Sequence, residues 1–60
     1  MIWVTDSLLK HKVAINPQYV VAVFKIPEGE HAGKTAVNLT TGSIIVDEND
    51  VDVVGQMAAL

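Results

Sequence analysis

Cysteine and arginine are both absent from this 60-residue sequence, and its only aromatic residues are Trp3, Tyr19 and Phe24. Without cysteine there is no disulfide framework and no thiolate zinc site. Without arginine, and with a formal net charge of −3, the chain lacks the clustered cations through which proteins hold phosphate backbones. The longest wholly apolar run, Tyr19 to Phe24, falls far short of the roughly 20 residues that span a bilayer, so membrane insertion is not expected. The opening MIWVTDSLL has no basic n-region and reaches Asp6 early, so no secretory signal is expected, and the expected location is the cytoplasm.

What is abundant is aliphatic surface. Half of the residues are apolar, mostly valine, isoleucine, leucine and alanine. A chain of this length buries only about 60% of the surface its unfolded form exposes. With no disulfide or thiolate metal site to compensate, association with another chain is the expected source of added stability. The sequence therefore predicts a homo-oligomer, with a dimer favoured.

The expected fold class is α+β, mostly β: one small domain over residues 1–60, with an antiparallel sheet of four to five strands and a short C-terminal helix. IWVT reads as a strand over 2–5, and residues 13–15 return from it after the turn DSLLKHK. Asn16-Pro17 breaks that strand and suits a single capped helical turn. Residues 19–26 read as the strongest strand, with Val20, Ala22, Phe24 and Ile26 on one face and Tyr19, Val21, Val23 and Lys25 on the other. PEGEHAG is a polar connection, 35–40 alternates with Val37 and Leu39 inward, Gly42 suits a tight hairpin, and 43–47 returns. A helix over 49–58 is expected, capped by Asp47 or Asn49, with Val51, Val54, Met57 and Ala58 on one face against the sheet.

Chemistry-bearing residues are sparse. The acidic run Asp47, Glu48, Asp50 and Asp52 fails the calcium-loop pattern, because Val51 and Asp52 occupy the fifth and sixth positions. It reads instead as a helix start in which acids complement the dipole. His31 lies near Glu28 and Glu30, but no second histidine stands at ligand spacing, so an exposed loop histidine is expected. Ser7, Ser43 and the threonines have no elbow motif or paired base around them. No catalytic residue, no cofactor and no metal site is expected, and the chain does not read as an enzyme. The only basic cluster is Lys10, His11 and Lys12. It is the candidate nucleic-acid contact of an alternative reading, an oligomeric nucleic-acid-binding regulator of phage or bacterial origin, although nucleic acid is the less expected partner.

Taken together, MIWVT, INPQYVVAV, VNLTTGSIIVDEND and VDVV resemble the small flagellar protein family FlbD, also known as swarming-motility proteins. The matching positions are Met1, Ile2, Val4 and Thr5; Asn16 and Pro17; Leu39 and Gly42; and Val51, Asp52 and Val54. The resemblance implies a small sheet with a terminal helix, no catalytic residues, no cofactor, and a role exerted through protein contacts on flagellar motor output. In that family a glycine is expected in the first hairpin, where this chain has DSLLKHK. The apolar residues left uncovered by the expected helix, Trp3, Tyr19, Val21, Val23 and Ile45, form the candidate interface of a non-enzymatic protein-interaction module.

Overall fold

A computed structural model of the chain describes residues 1–59. Strands β1 (Ile2–Thr5), β2 (Lys12–Ile15), β3 (Val20–Lys25), β4 (Thr35–Leu39) and β5 (Gly42–Val46) precede helix α1 (Asp50–Ala58), so the fold is mostly β with one C-terminal helix. The strands form a two-stranded sheet, β1-β2, and a three-stranded sheet, β3-β4-β5, all neighbours antiparallel. The end of β5 runs along β1: Asp6 bridges Val46, the Ser7 N–H donates to the Ile45 carbonyl at 2.9 Å, and the Asp47 N–H donates to Thr5 at 3.0 Å. That short ladder joins the two sheets.

Turn chemistry explains most of the connections. Asp6 accepts at Oδ1 from the N–H groups of Leu8 and Leu9, 2.8 and 2.9 Å away, an aspartate turn that shapes the first hairpin without glycine. The hairpin closes through Lys10, which adopts φ +60, the left-handed conformation that glycine fills at least cost. Asn16 caps the 3₁₀ turn Pro17–Tyr19 by accepting from the Gln18 N–H at 3.0 Å, with Pro17 at its first position as expected. Between β4 and β5 only Thr40 and Thr41 lie outside the ladder, and Gly42 follows at φ +151.

Two expectations about orientation are corrected. A bulge between Val20 and Ala22 takes Val21 out of register, so Val20 and Val23, expected on opposite faces, both pack against the core, while Val21 is 68% exposed. The helix is also rotated from its expected phase. Val53, fully buried, and Met57 face the core, whereas Val51 and Val54 are 74% and 51% exposed. Val53 and Met57 stand four residues apart on one helical face, and Val51 and Val54 lie about 160° and 100° round from Val53 at 100° per residue. Ile2, Val4, Ile15, Val37 and Val46 complete the buried cluster with Val53.

A side-chain contact accompanies that rotation. Gln56 accepts from the Trp3 N–H and donates to the Trp3 carbonyl, both at 2.8 Å, so its amide behaves like a neighbouring strand on the edge of β1 not used by β2. Free strand edges invite pairing with other chains, and this one is closed from within.

Candidate functional site

The polar centre of the molecule is Glu48, which follows β5 and lies beside β1. Its Oε1 accepts from the Thr5 N–H at 2.7 Å, and its Oε2 accepts from Thr5 Oγ1 at 2.8 Å and from Lys12 Nζ at 3.5 Å. Thr35, fully buried, donates its hydroxyl to the Glu48 carbonyl. Burial alone would raise the Glu48 carboxyl. The N–H and hydroxyl of Thr5, its own N–H and Lys12 outweigh burial and hold its pKa below the ordinary value. Asp47 was an expected helix cap, but α1 begins from Asn49, whose side chain makes no capping bond. Asp47 instead binds Lys34 at 2.8 Å and faces Lys10 at 3.5 Å. The hydrogen bond from Lys34 leads the causes that lower its pKa, against some opposition from burial.

These pairings occupy the basic cluster. Lys10 faces Asp47 and Lys12 faces Glu48, so two of the three candidate nucleic-acid residues lie against the chain's own carboxylates. Lys10, His11 and Lys12 are all exposed, as are Leu8 and Leu9 before them. The Thr5 and Thr35 hydroxyls are both committed to Glu48. Among the described residues every buried side-chain polar atom has a partner, and no three His, Cys, Asp or Glu side chains converge on a common point. His31, expected to be an exposed loop residue, is half-buried.

Two apolar depressions stand out among the described residues. One, about 290 Å³, opens between β2 and the β4–β5 turn and is lined by Val13, Ile15, Tyr19, Leu39 and Ile44 among others. The other, about 440 Å³, is an open groove between β3 and α1, walled by Val20 to Val23 on one side and by Val54, Met57 and Ala58 on the other. Its lining carries no charged residue. No helix among the described residues is long and apolar enough to cross a membrane.

The five residues expected to form an interface do not share one surface. Val21 and Val23 line the β3–α1 groove, Val23 half-buried and packed on the core. Tyr19, 56% exposed, borders the other depression. Trp3 pairs with Ala14 in the first hairpin and is 56% exposed. Ile45, half-buried, stands opposite Ala36 in the cross-strand row that continues to Phe24. The sequence reading misses Val51 and Val54 as surface residues because their helical spacing suits the core equally well. No family model, no curated protein and no solved structure matches the chain.

Proposed function

We propose that this chain is a non-enzymatic protein-interaction module whose contact face is the groove between β3 and α1. One observation carries the reading: α1 is turned so that Val54 points away from the core and lines the groove, opposite a β3 whose bulge leaves Val21 outward. Exposed large apolar side chains scattered singly are ordinary, but apolar side chains gathered along both walls of one uncharged groove mark an interaction site. The ion pairs at Lys10 and Lys12 leave few free cations for a phosphate backbone and weigh against the nucleic-acid alternative.

The finer reading places the module in bacterial motility, acting on the output of the flagellar motor. It is supported by the FlbD-like segments MIWVT, INPQYVVAV and VNLTTGSIIVDEND. The test is capture of partners from nuclease-treated cell extract by the tagged chain and by its Val21→Lys and Val54→Lys variants. A protein held by the parent chain and lost with both variants is the expected result, and its identification as a motor component would carry the finer reading. Capture unaffected by either substitution would overturn the assignment of the groove. Partners lost on nuclease treatment would overturn the protein-interaction reading itself.

A further inference from the structure

We propose that the outer edge of β2 docks an extended peptide segment of another protein, which adds to the edge as a further strand and sets apolar side chains into the depression between β2 and the β4–β5 turn. This site is separate from the β3–α1 groove and does not depend on the reading given to that groove.

The free groups of the edge follow from the ladder. β2 has one neighbour, β1. On β1 the N–H and carbonyl of Trp3 are taken by Gln56, and those of Thr5 by Glu48 and Asp47, so both residues turn their backbone groups away from β2. Successive residues of a strand turn theirs to opposite sides, which leaves Ile2 and Val4 to bond Ile15 and Val13 opposite them. The bond from the Asp6 N–H to the His11 carbonyl, at 3.0 Å, continues the same alternation. Lys12 and Ala14 therefore turn their backbone groups outward. Among the described residues neither N–H has a partner, nor has the Ala14 carbonyl. Where Gln56 closes the edge of β1, nothing closes that of β2, and such a row of unpaired groups is a template for another strand.

The depression lies along this same edge. Val13 and Ile15 pack inward, whereas Ala14 is exposed. A depression lined by all three, and by Asn16, meets β2 along an edge rather than on one face, and the other edge belongs to β1. Val13, Leu39 and Ile44, also in its lining, pack against the core yet are only half-buried. An apolar group entering here extends the core.

Size and backbone together define the occupant. A cavity of about 150 Å³ takes one benzene, so the 290 Å³ here suits one large apolar side chain or two small ones. On an added strand alternate residues stand about 7 Å apart on one face, and two of them can enter while the backbone between them pairs with Ala14. A small apolar molecule would leave Ala14 unpaired. A second copy could offer its own β2, but its Val13 and Ile15 are committed to its own core and would leave the depression unfilled. A segment with no fold of its own supplies both parts, main-chain bonds for affinity and alternate side chains for specificity. The small area makes the contact a transient one.

The test is titration of the isotope-labelled chain, followed by amide NMR, with capped peptides of about seven residues that alternate threonine with leucine, valine or phenylalanine. At least one should shift the Lys12, Ala14 and Asn16 amides saturably and slow hydrogen exchange at Ala14. The same peptide N-methylated on the amides of one edge keeps its side chains, alters nothing in the protein, and should bind at least about ten-fold more weakly. Ala14→Pro, which removes the outward N–H at an edge position that tolerates proline, should weaken binding similarly, whereas Val54→Lys in the β3–α1 groove should leave it unchanged. No saturable shift up to millimolar peptide, or equal binding of the parent and N-methylated peptides, overturns strand addition. Shifts at Lys12 and Ala14 that grow with the chain's own concentration would assign the edge to a second copy and overturn the peptide partner.

Discussion

The amide of Gln56 should be worth a measurable part of the stability of the whole molecule, and its two hydrogen bonds can be separated by an isosteric change. Gln56→Glu keeps an acceptor for the Trp3 N–H but places a carboxylate oxygen against the Trp3 carbonyl, where the native side chain donates at 2.8 Å. One bond is lost and one repulsion is gained. At about 0.5 to 1.5 kcal/mol net per hydrogen bond, and with both bonds water-accessible, the expected cost near neutral pH is about 1 to 2 kcal/mol. A domain of this length holds roughly 3 to 9 kcal/mol in total, and near 60 residues 1 kcal/mol lowers Tm by about 8 °C. Gln56→Leu, which loses both bonds without the repulsion, should fall in the same range. Acid separates the two variants. Facing a carbonyl, the introduced carboxyl is easier to protonate in the folded chain than in the unfolded one, so its folded pKa is raised. Its favourable form is complete below the unfolded carboxyl range and is lost as pH rises through the folded pKa. Protonated, it donates to Trp3 again, so the deficit of Gln56→Glu should shrink toward zero in acid while that of Gln56→Leu stays constant. Urea unfolding followed by fluorescence of Trp3, the single tryptophan, reads both across pH at fixed protein concentration. Acid loss common to parent and variants cancels in the difference. A Gln56→Glu deficit that does not change with pH, or no deficit in either variant, would refute the claim that this amide replaces a strand.

Three further outcomes are expected. Lys10→Gly should stabilise the chain by about 1 kcal/mol, because φ +60 favours glycine and the exposed pair with Asp47 adds little; a lower urea midpoint would contradict it. Val53→Ala should cost about 1.5 to 3 kcal/mol as a core cavity, and a loss under 0.5 kcal/mol would show that the helix packs in another phase. Glu48 has its pKa held below the ordinary 4.5 by the folded state, so its contribution is complete above that value and disappears as pH falls through the folded pKa. Glu48→Gln should therefore lose about 1 to 2 kcal/mol near neutral pH and show a shallower acid limb than the parent in pH-dependent melts; identical acid limbs would count against the role given to this carboxylate.

The strand positions were legible because β-branched runs are punctuated by Asp6, by Asn16-Pro17 and by glycines, and the observed boundaries lie within a residue or two of the expected ones. Facing was less legible, for a physical reason particular to this composition. In Tyr19 to Phe24 every residue is apolar, so alternation carries no phase and nothing betrays the bulge at Val21. Valines at 51, 53 and 54 likewise allow more than one inward stripe, and the observed phase buries Val53 and brings Gln56 to a backbone 53 positions away. No local pattern announces such a contact. Glu48 looked like one of several acids at a helix start, yet it serves β1 from outside the helix. At position 10 the sequence shows lysine where the conformation suits glycine, so the turn was visible and its geometry was not.

The dependence of β1 on residues 47–56 has a consequence for how the molecule comes into being. Ile2–Thr5 precedes every other strand described here, yet the outer edge of its backbone is completed by Asp47, Glu48 and Gln56. Until residues 47–56 have come into place, the chain carries an apolar strand with an open edge. Completing β1 thus joins segments 43 and 53 positions apart in the sequence, and truncation within the helix would damage this strand as directly as the helix itself.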